Sequence, residues 1–159
     1  MKHVLMLFAL LVLAAVACAP SQAQSNPLVG TWQLNLSKSK YDPGPPPTSL
    51  TRTVEAQGNG VKYTFAGVSS DGKPISYGFS VEFDGKDNPI SGSMPSGADT
   101  IAATRTDANH FVATLKKAGK VIGTSKVSVA SNGKTTTVEA TGSTATGAKE
   151  HDVQVFDKQ

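Results

Sequence analysis

Residues 75–83 read ISYGFSVEF, and they carry the clearest structural pattern in the sequence. An apolar or aromatic side chain occupies every second position, from Ile75 to Phe83, and small or polar residues fill the positions between them. A β-strand directs successive side chains to opposite faces, so this period of two predicts a strand with one buried face. The stretches 61–65 and 111–115 repeat the pattern. Their common period indicates an all-β domain.

Turn signals surround these strands at intervals of about a dozen residues. Asp71-Gly72, Asp84-Gly85 and Asn132-Gly133 are the clearest of them. Asp-Gly and Asn-Gly pairs accept the positive φ that tight hairpin turns require. Regular strands at this spacing are typical of a sandwich or a barrel rather than of alternating strands and helices.

We predict nine or ten strands, joined in sequence by short hairpins. Their approximate positions are 29–36, 49–57, 60–68, 74–83, 88–92, 99–106, 109–117, 120–130, 134–142 and 149–157. An antiparallel up-and-down meander of this length leaves edge strands with unpaired backbone groups, which promote aggregation, unless the sheet closes on itself. A closed antiparallel barrel is therefore the first prediction, and a β-sandwich is the alternative.

The N-terminal segment predicts export. Lys2 and His3 precede the apolar run 4–16, which is shorter than the ~20 residues of a membrane-spanning helix. Small residues at Ser21 and Ala23 predict a signal peptide at 1–23, a linker at 24–27 and the barrel domain at 28–159. In the alternative, residues 15–18 resemble a bacterial lipobox, and acylated Cys18 follows a signal at 1–17 and tethers the protein to a membrane. The expected location is the periplasm, the exterior or a membrane surface.

Length, charge and cysteine content restrict the class of protein. The 159 residues suffice for one domain. The 15 Lys and Arg against 12 Asp and Glu give a net charge of +3, and loss of Lys2 leaves +2. This charge is too small to indicate nucleic-acid binding. Cys18 is the single cysteine, so the domain has no internal disulfide and depends on packing and hydrogen bonds.

The connection at 37–48 differs from the other loops because it contains four prolines, Pro43, Pro45, Pro46 and Pro47. Proline lacks a backbone donor and fixes φ, so we expect this stretch not to join a ladder. One interpretation is a rigid crossover at one end of the barrel. Another is a recognition segment, or a lid that carries Tyr41 over a cavity mouth.

The residues Gly30-Thr31-Trp32 resemble the motif that opens the first strand of calycins, the family of lipocalins and fatty-acid-binding proteins. Together with the proline-rich loop, the stretch 28–40 is similar to small exported bacterial lipocalin-like proteins of unassigned activity. The resemblance implies that Trp32 closes one end of the barrel beneath an arginine from a late strand. Of the two arginines, Arg52 and Arg105, the later Arg105 is the predicted partner.

The chain also departs from the calycin pattern. It lacks the lipocalin C-terminal helix and disulfides, and it lacks the helical lid of fatty-acid-binding proteins. No arginine and tyrosine set maps onto a fatty-acid carboxylate site.

We find no catalytic constellation in the sequence. His110 and His151 do not have the spacing of a zinc site, and most acidic residues lie in turns. No G-x-S-x-G or P-loop motif occurs. We therefore predict no enzyme activity, no metal and no cofactor; haem ligation by the late His151 is the least expected alternative.

Aromatic residues on the predicted inner faces are the candidate cavity wall: Tyr41, Tyr63, Phe65, Tyr77, Phe79 and Phe111. With only ten aromatic residues in the chain, a wide barrel has few bulky side chains to fill it. Two functions follow. Either the protein binds a small apolar or amphipathic molecule, or it is a structural or protein-interaction protein of the cell envelope with a filled core and no ligand.

Overall fold

A computed structural model describes residues 26–143 and 146–159 of the protein. The predicted signal peptide and Cys18 lie outside the described residues. Within these ranges the chain forms eleven strands and one 3₁₀ turn at Leu36–Lys38. The strands are β1 Gly30–Leu34, β2 Ser49–Gln57, β3 Gly60–Val68, β4 Pro74–Val81, β5 Asp84–Pro89, β6 Ser91–Gly92, β7 Thr100–Arg105, β8 His110–Lys117, β9 Lys120–Val129, β10 Thr135–Ser143 and β11 Lys149–Lys158. The part of the chain that the structure describes contains no helix long and apolar enough to span a bilayer.

The strands form one antiparallel sheet in the order β5-β7-β8-β9-β10-β11-β1-β2-β3-β4-β6. The first strand pairs with both β2 and the last strand, so the two ends of the domain meet inside the sheet. Curling of this sheet makes a nearly closed barrel, and the predicted all-β barrel is confirmed.

The predicted strand at 88–92 is divided between two edges of the sheet. Pro89 at the end of β5 pairs with Thr100 of β7, whereas Ser91 of β6 pairs with Gly78 of β4. The chain thus crosses from one edge to the other at Ile90, which raises the strand count to eleven. No ladder joins β4 directly to β5 or β7 in the described chain. We call this interval between the β4–β6 edge and the β5–β7 edge the seam.

Trp32 closes one end of the barrel, as the motif in β1 predicts. Its side chain is fully buried, and its indole Nε1 donates a hydrogen bond to the Leu28 carbonyl at 2.8 Å. Leu28, Val54 and Phe156 are buried with it. An aromatic ring packed without exposure contributes both apolar burial and a fixed orientation, so this cluster forms the floor of the barrel.

Residues 39–47, which we call the strap, lie against β11. Lys40 exchanges two backbone hydrogen bonds of 2.8 Å with Val153, and Asp42 accepts one from the His151 amide at 2.7 Å. The expectation that residues 37–48 avoid the sheet is therefore wrong at Lys40. The reason is that the prolines begin only at Pro43, and the backbone before them retains its donors.

Candidate functional site

The barrel encloses a cavity of about 400 Å³. This volume lies within the range of pockets that hold small organic molecules. The structure places all six predicted aromatic residues around it, namely Tyr41, Tyr63, Phe65, Tyr77, Phe79 and Phe111. The core is thus not filled, which favours the first of the two functions that the sequence leaves open.

The cavity exists because its walls are unequal. Strands β3 and β4 contribute a cluster of rings, since Tyr63 lies opposite Phe79 and Phe65 lies opposite Tyr77 in the antiparallel register. The Phe65 and Tyr77 rings stack with centroids 4.4 Å apart. The facing strands β7 to β10 line the cavity with small residues, Ala103, Ala113, Ser125 and Ala140, between larger ones such as Ile101, Phe111 and Leu115. The small side chains leave space opposite the rings of β3 and β4.

Arg52 of β2, not Arg105, is the arginine beside Trp32. Its guanidinium carbon lies 5.3 Å from the Trp32 ring centroid and 4.4 Å from that of Phe156. The predicted partner, Arg105, instead lies 4.5 Å from the Phe83 ring and donates to the Ala108 carbonyl. Register explains the error: β1 pairs with β2 so that Arg52 stands directly opposite Trp32, whereas β7 is distant from β1 in the sheet.

Arg52 is a buried charge that faces the cavity. Its side chain is only 3% exposed, and its Nε and Nη2 atoms have no hydrogen-bond partner in the ranges described. Burial lowers the pKa of Arg52 to about 10, which still leaves the guanidinium charged at neutral pH. The faces of two aromatic rings attract the cation, but they do not accept its N–H groups as a carboxylate does.

Tyr63 adds a third unpaired polar atom beside the Nε and Nη2 atoms of Arg52. Its hydroxyl is buried and has no hydrogen-bond partner among the residues of the structure. Burial raises the pKa of Tyr63 to about 12, and the nearby positive charge of Arg52 opposes the shift. The phenol therefore remains a neutral donor close to the guanidinium.

An acidic pair on β11 lines the other part of the cavity, and sequence reasoning missed it. Glu150 and Asp152 share the inner face of the strand with Gln154 and Phe156. Asp152 is 4% exposed, and its Oδ1 accepts a hydrogen bond of 3.0 Å from the Asp42 amide. Burial, together with Asp152, raises the pKa of Glu150. The alternation of residues along 150–156 could have predicted which side chains face inward. Three of those four side chains are polar, however, so they do not show the apolar pattern of a buried face.

Tyr41 of the strap completes this acidic region. Its hydroxyl is buried without a hydrogen-bond partner in the described part of the chain. Burial raises the pKa of Tyr41, and the negative charges of Asp152 and Glu150 raise it further. With Tyr41, the prolines Pro43, Pro45 and Pro47 also line the cavity. The strap therefore has the position expected of a lid.

Neither of the two described histidines, His110 and His151, lines the cavity. His151 is exposed on the outer face of β11, and exposed His110 contacts the Asp107 carboxylate through Nδ1 at 2.8 Å. Over the described ranges no group of three or more His, Cys, Asp or Glu is placed to hold a metal ion. The haem alternative thus gains no support, and the absence of catalytic activity stays a prediction.

Comparison with solved structures finds β-barrels of similar fold. The zebrafish ileal bile acid-binding protein complexed with cholic acid matches with a TM-score of 0.53 and 14% identity, over 84% of this chain and 99% of that chain. A redesigned β-barrel, mFAP1, bound to DFHBI matches with a TM-score of 0.44 and 15% identity, over 83% and 95% of the two chains. No protein-family model and no curated protein sequence matches the chain. The likeness to the zebrafish protein is one of fold.

Proposed function

We propose that the protein binds a small amphipathic molecule inside the barrel. The observation that carries the proposal is the cavity of about 400 Å³, which combines an aromatic wall with buried polar atoms that lack partners in the described chain. Apolar surface favours the body of such a molecule, and a few convergent polar groups orient it. The zebrafish protein that shares the fold is described with cholic acid.

Trp32 supplies a direct measure of binding because it is the single tryptophan of the chain. It lies beside Arg52, which lines the cavity. We expect titration with dodecanol, a neutral amphiphile, to change Trp32 fluorescence with saturation, and calorimetry to give the same dissociation constant. A purified protein that takes up no dodecanol, and that retains nothing from a lipid extract in native mass spectrometry, would contradict the proposal.

Filling the cavity tests whether the ligand occupies it. Ala113 lines the cavity, so Ala113→Phe is expected to weaken dodecanol binding at least about tenfold, equivalent to about 1.4 kcal/mol. Exposed Ala66 on β3 provides the matched control, and Ala66→Phe is expected to bind as the wild type does. Near-ultraviolet circular dichroism checks that both variants fold. Equal affinity in the two variants would place the ligand outside the barrel.

We further propose that the protein is exported, by the signal at 1–23 or as a lipoprotein through Cys18. Labelling of expressing cells with radioactive palmitate separates the two routes. Label in the wild type that disappears in Cys18→Ser indicates the lipoprotein. Absence of label, together with a mature N-terminus at Gln24, indicates the cleaved, untethered form. Full-length protein retained in the cytoplasm would contradict both.

A further inference from the structure

The polar groups of the cavity separate into two regions of opposite sign, and this inference rests on the proposed function. The first region consists of Arg52 and Tyr63. Both side chains are more than nine-tenths buried, both line the cavity, and both carry polar atoms without hydrogen-bond partners in the described residues.

A buried guanidinium without an anionic partner is costly, because the desolvation of an ion is offset only by a close opposite charge and hydrogen bonds. The faces of the Trp32 and Phe156 rings offset part of this cost for Arg52. The unpaired N–H groups of Arg52 and the O–H group of Tyr63 are all donors. The chemistry that satisfies them is an anion with several acceptor oxygens, such as a carboxylate.

The second region consists of Glu150, Asp152 and Tyr41. Glu150 and Asp152 lie two residues apart on the inner face of β11, and Oδ1 of Asp152 already accepts a hydrogen bond from the Asp42 amide. Both acidic residues line the cavity together with Tyr41, whose buried hydroxyl has no hydrogen-bond partner among the described residues. This set offers acceptors and negative charge, which suit an ammonium or hydroxyl group rather than an anion.

The two regions lie at different depths of the same cavity. Phe156 contacts Arg52 at the floor, and Asp152 lies four residues earlier on the same face of β11. At about 3.3 Å per residue, this separation is roughly 13 Å along the strand. The stacked rings of Phe65 and Tyr77 line the cavity together with both regions. One elongated molecule can therefore reach both regions with its two ends.

We propose that the ligand is a dipolar amphiphile, with an anionic group at Arg52 and Tyr63, an apolar body along the aromatic wall, and a hydrogen-bond-donating group, an amine or a hydroxyl, at Glu150 and Asp152. Neither polar end alone satisfies both regions. The cavity thus selects for molecules with a donor at the end opposite their acid.

Five probes of equal chain length test this selection by calorimetry: dodecanol, dodecanoic acid, dodecylamine, ω-aminododecanoic acid and ω-hydroxydodecanoic acid. We expect ω-aminododecanoic acid to bind at least about tenfold more tightly than dodecanoic acid, and dodecanoic acid to bind more tightly than dodecanol. ω-Hydroxydodecanoic acid should also bind more tightly than dodecanoic acid, because a hydroxyl donates to a carboxylate.

Conservative variants assign each end of the probe to its region. Arg52→Gln should weaken binding of both acids at least about tenfold more than it weakens binding of dodecanol. Glu150→Gln and Asp152→Asn should abolish the preference for the ω-amino acid over dodecanoic acid. The exposed pair Lys126 and Glu139, which lie opposite each other on β9 and β10, supplies the controls Lys126→Gln and Glu139→Gln.

The outcomes separate this inference from the proposed function. Dodecanol or dodecanoic acid that binds as tightly as ω-aminododecanoic acid would overturn the dipolar ligand and leave the binding module standing. An ω-amino preference that survives in both Glu150→Gln and Asp152→Asn would overturn the acidic region as its source. Failure of all the probes to bind would overturn the proposed function itself.

Discussion

At the residue scale, Arg52 has the character of a residue retained for binding rather than for stability. It places a charge between Trp32 and Phe156 on the floor of the barrel, at 3% exposure. Replacement of an uncompensated buried ion by an apolar side chain of similar volume is often neutral or stabilising. Functional sites commonly hold such unfavourable groups, because the ligand completes their interactions.

We predict that Arg52→Met leaves the free energy of unfolding unchanged or raises it, and that it removes the preference for acids over dodecanol. The variant loses two cation–π contacts, which lowers its stability. It also no longer has to desolvate a buried ion, and this gain in stability is the larger effect. Urea denaturation measures the stability, and Lys126→Met is the exposed control, expected to change it by less than about 0.5 kcal/mol. Destabilisation of Arg52→Met by more than about 2 kcal/mol would show that Arg52 serves the fold.

Asp157 is a second residue whose environment makes a clear prediction. Its carboxylate accepts hydrogen bonds from Asn35 Nδ2 at 2.7 Å, from Lys38 Nζ at 3.2 Å and from Thr135 Oγ1 at 3.3 Å. These bonds, that from Asn35 foremost, lower the pKa of Asp157. The carboxylate thereby links the 3₁₀ turn at Leu36–Lys38 and β10 to β11.

The lowered pKa of Asp157 predicts how its contribution to the free energy of unfolding changes with pH. Because the folded-state value lies below the unfolded value near 3.9, the contribution is complete above that pH and is lost as the pH falls through the folded-state pKa. Asp157→Asn should therefore be less stable than the wild type near pH 7, and the difference should shrink in acid. Urea unfolding of both proteins as a function of pH measures it. A difference that stays constant with pH would contradict the assignment.

At the element scale, the strap joins the wall of the cavity to β11. It lies on β11 through Lys40 and Asp42, and its prolines and Tyr41 line the cavity. Two side-chain contacts join it to β11: the Asp42 amide donates a hydrogen bond to Asp152, and the Val155 amide donates one to Ser39 Oγ. Asp152 thus contacts the strap and also lines the cavity.

We predict that Asp152→Ala loosens the strap and that Asp152→Asn does not. Alanine leaves the Asp42 amide without its acceptor, at a cost of about 1–3 kcal/mol, whereas the asparagine Oδ1 can still accept the bond. Hydrogen exchange of the Asp42 amide should rise at least about fivefold in the alanine variant only. Equal exchange in the two variants would show that the backbone bonds to Val153 and His151 suffice to hold the strap.

At the scale of the whole molecule, the seam is the interval where hydrogen bonds do not close the barrel. Strands β10 and β11 have a paired neighbour on each side, whereas β4 meets only the two-residue β6 at its outer edge. Near the seam the Phe83 ring packs edge-on against Phe111 at 5.3 Å, beneath Arg105. Side-chain packing therefore takes the place of a ladder there.

We predict that amide exchange is fastest along the seam. Between residues 79 and 81 of β4, some backbone amides point away from β3 and have no partner strand. These amides should exchange faster than the amides of β4 that donate hydrogen bonds to β3, because only the latter belong to a ladder. Exchange measured by nuclear magnetic resonance compares the two sets within one strand, so no variant is needed. Equal protection of both sets would indicate a barrel that closes by hydrogen bonds in solution.

The sequence by itself determined the all-β class, most strand positions, the tryptophan at the start of β1 and the aromatic wall. These features depend on the side-chain period of two and on turn residues, which act over a few neighbouring positions. The tertiary structure alone decided that Arg52 meets Trp32, that Glu150 and Asp152 face the cavity, and that the strap docks on β11. Each of these contacts depends on the register between strands distant in the chain, and a shift of one residue exchanges the inner and outer faces.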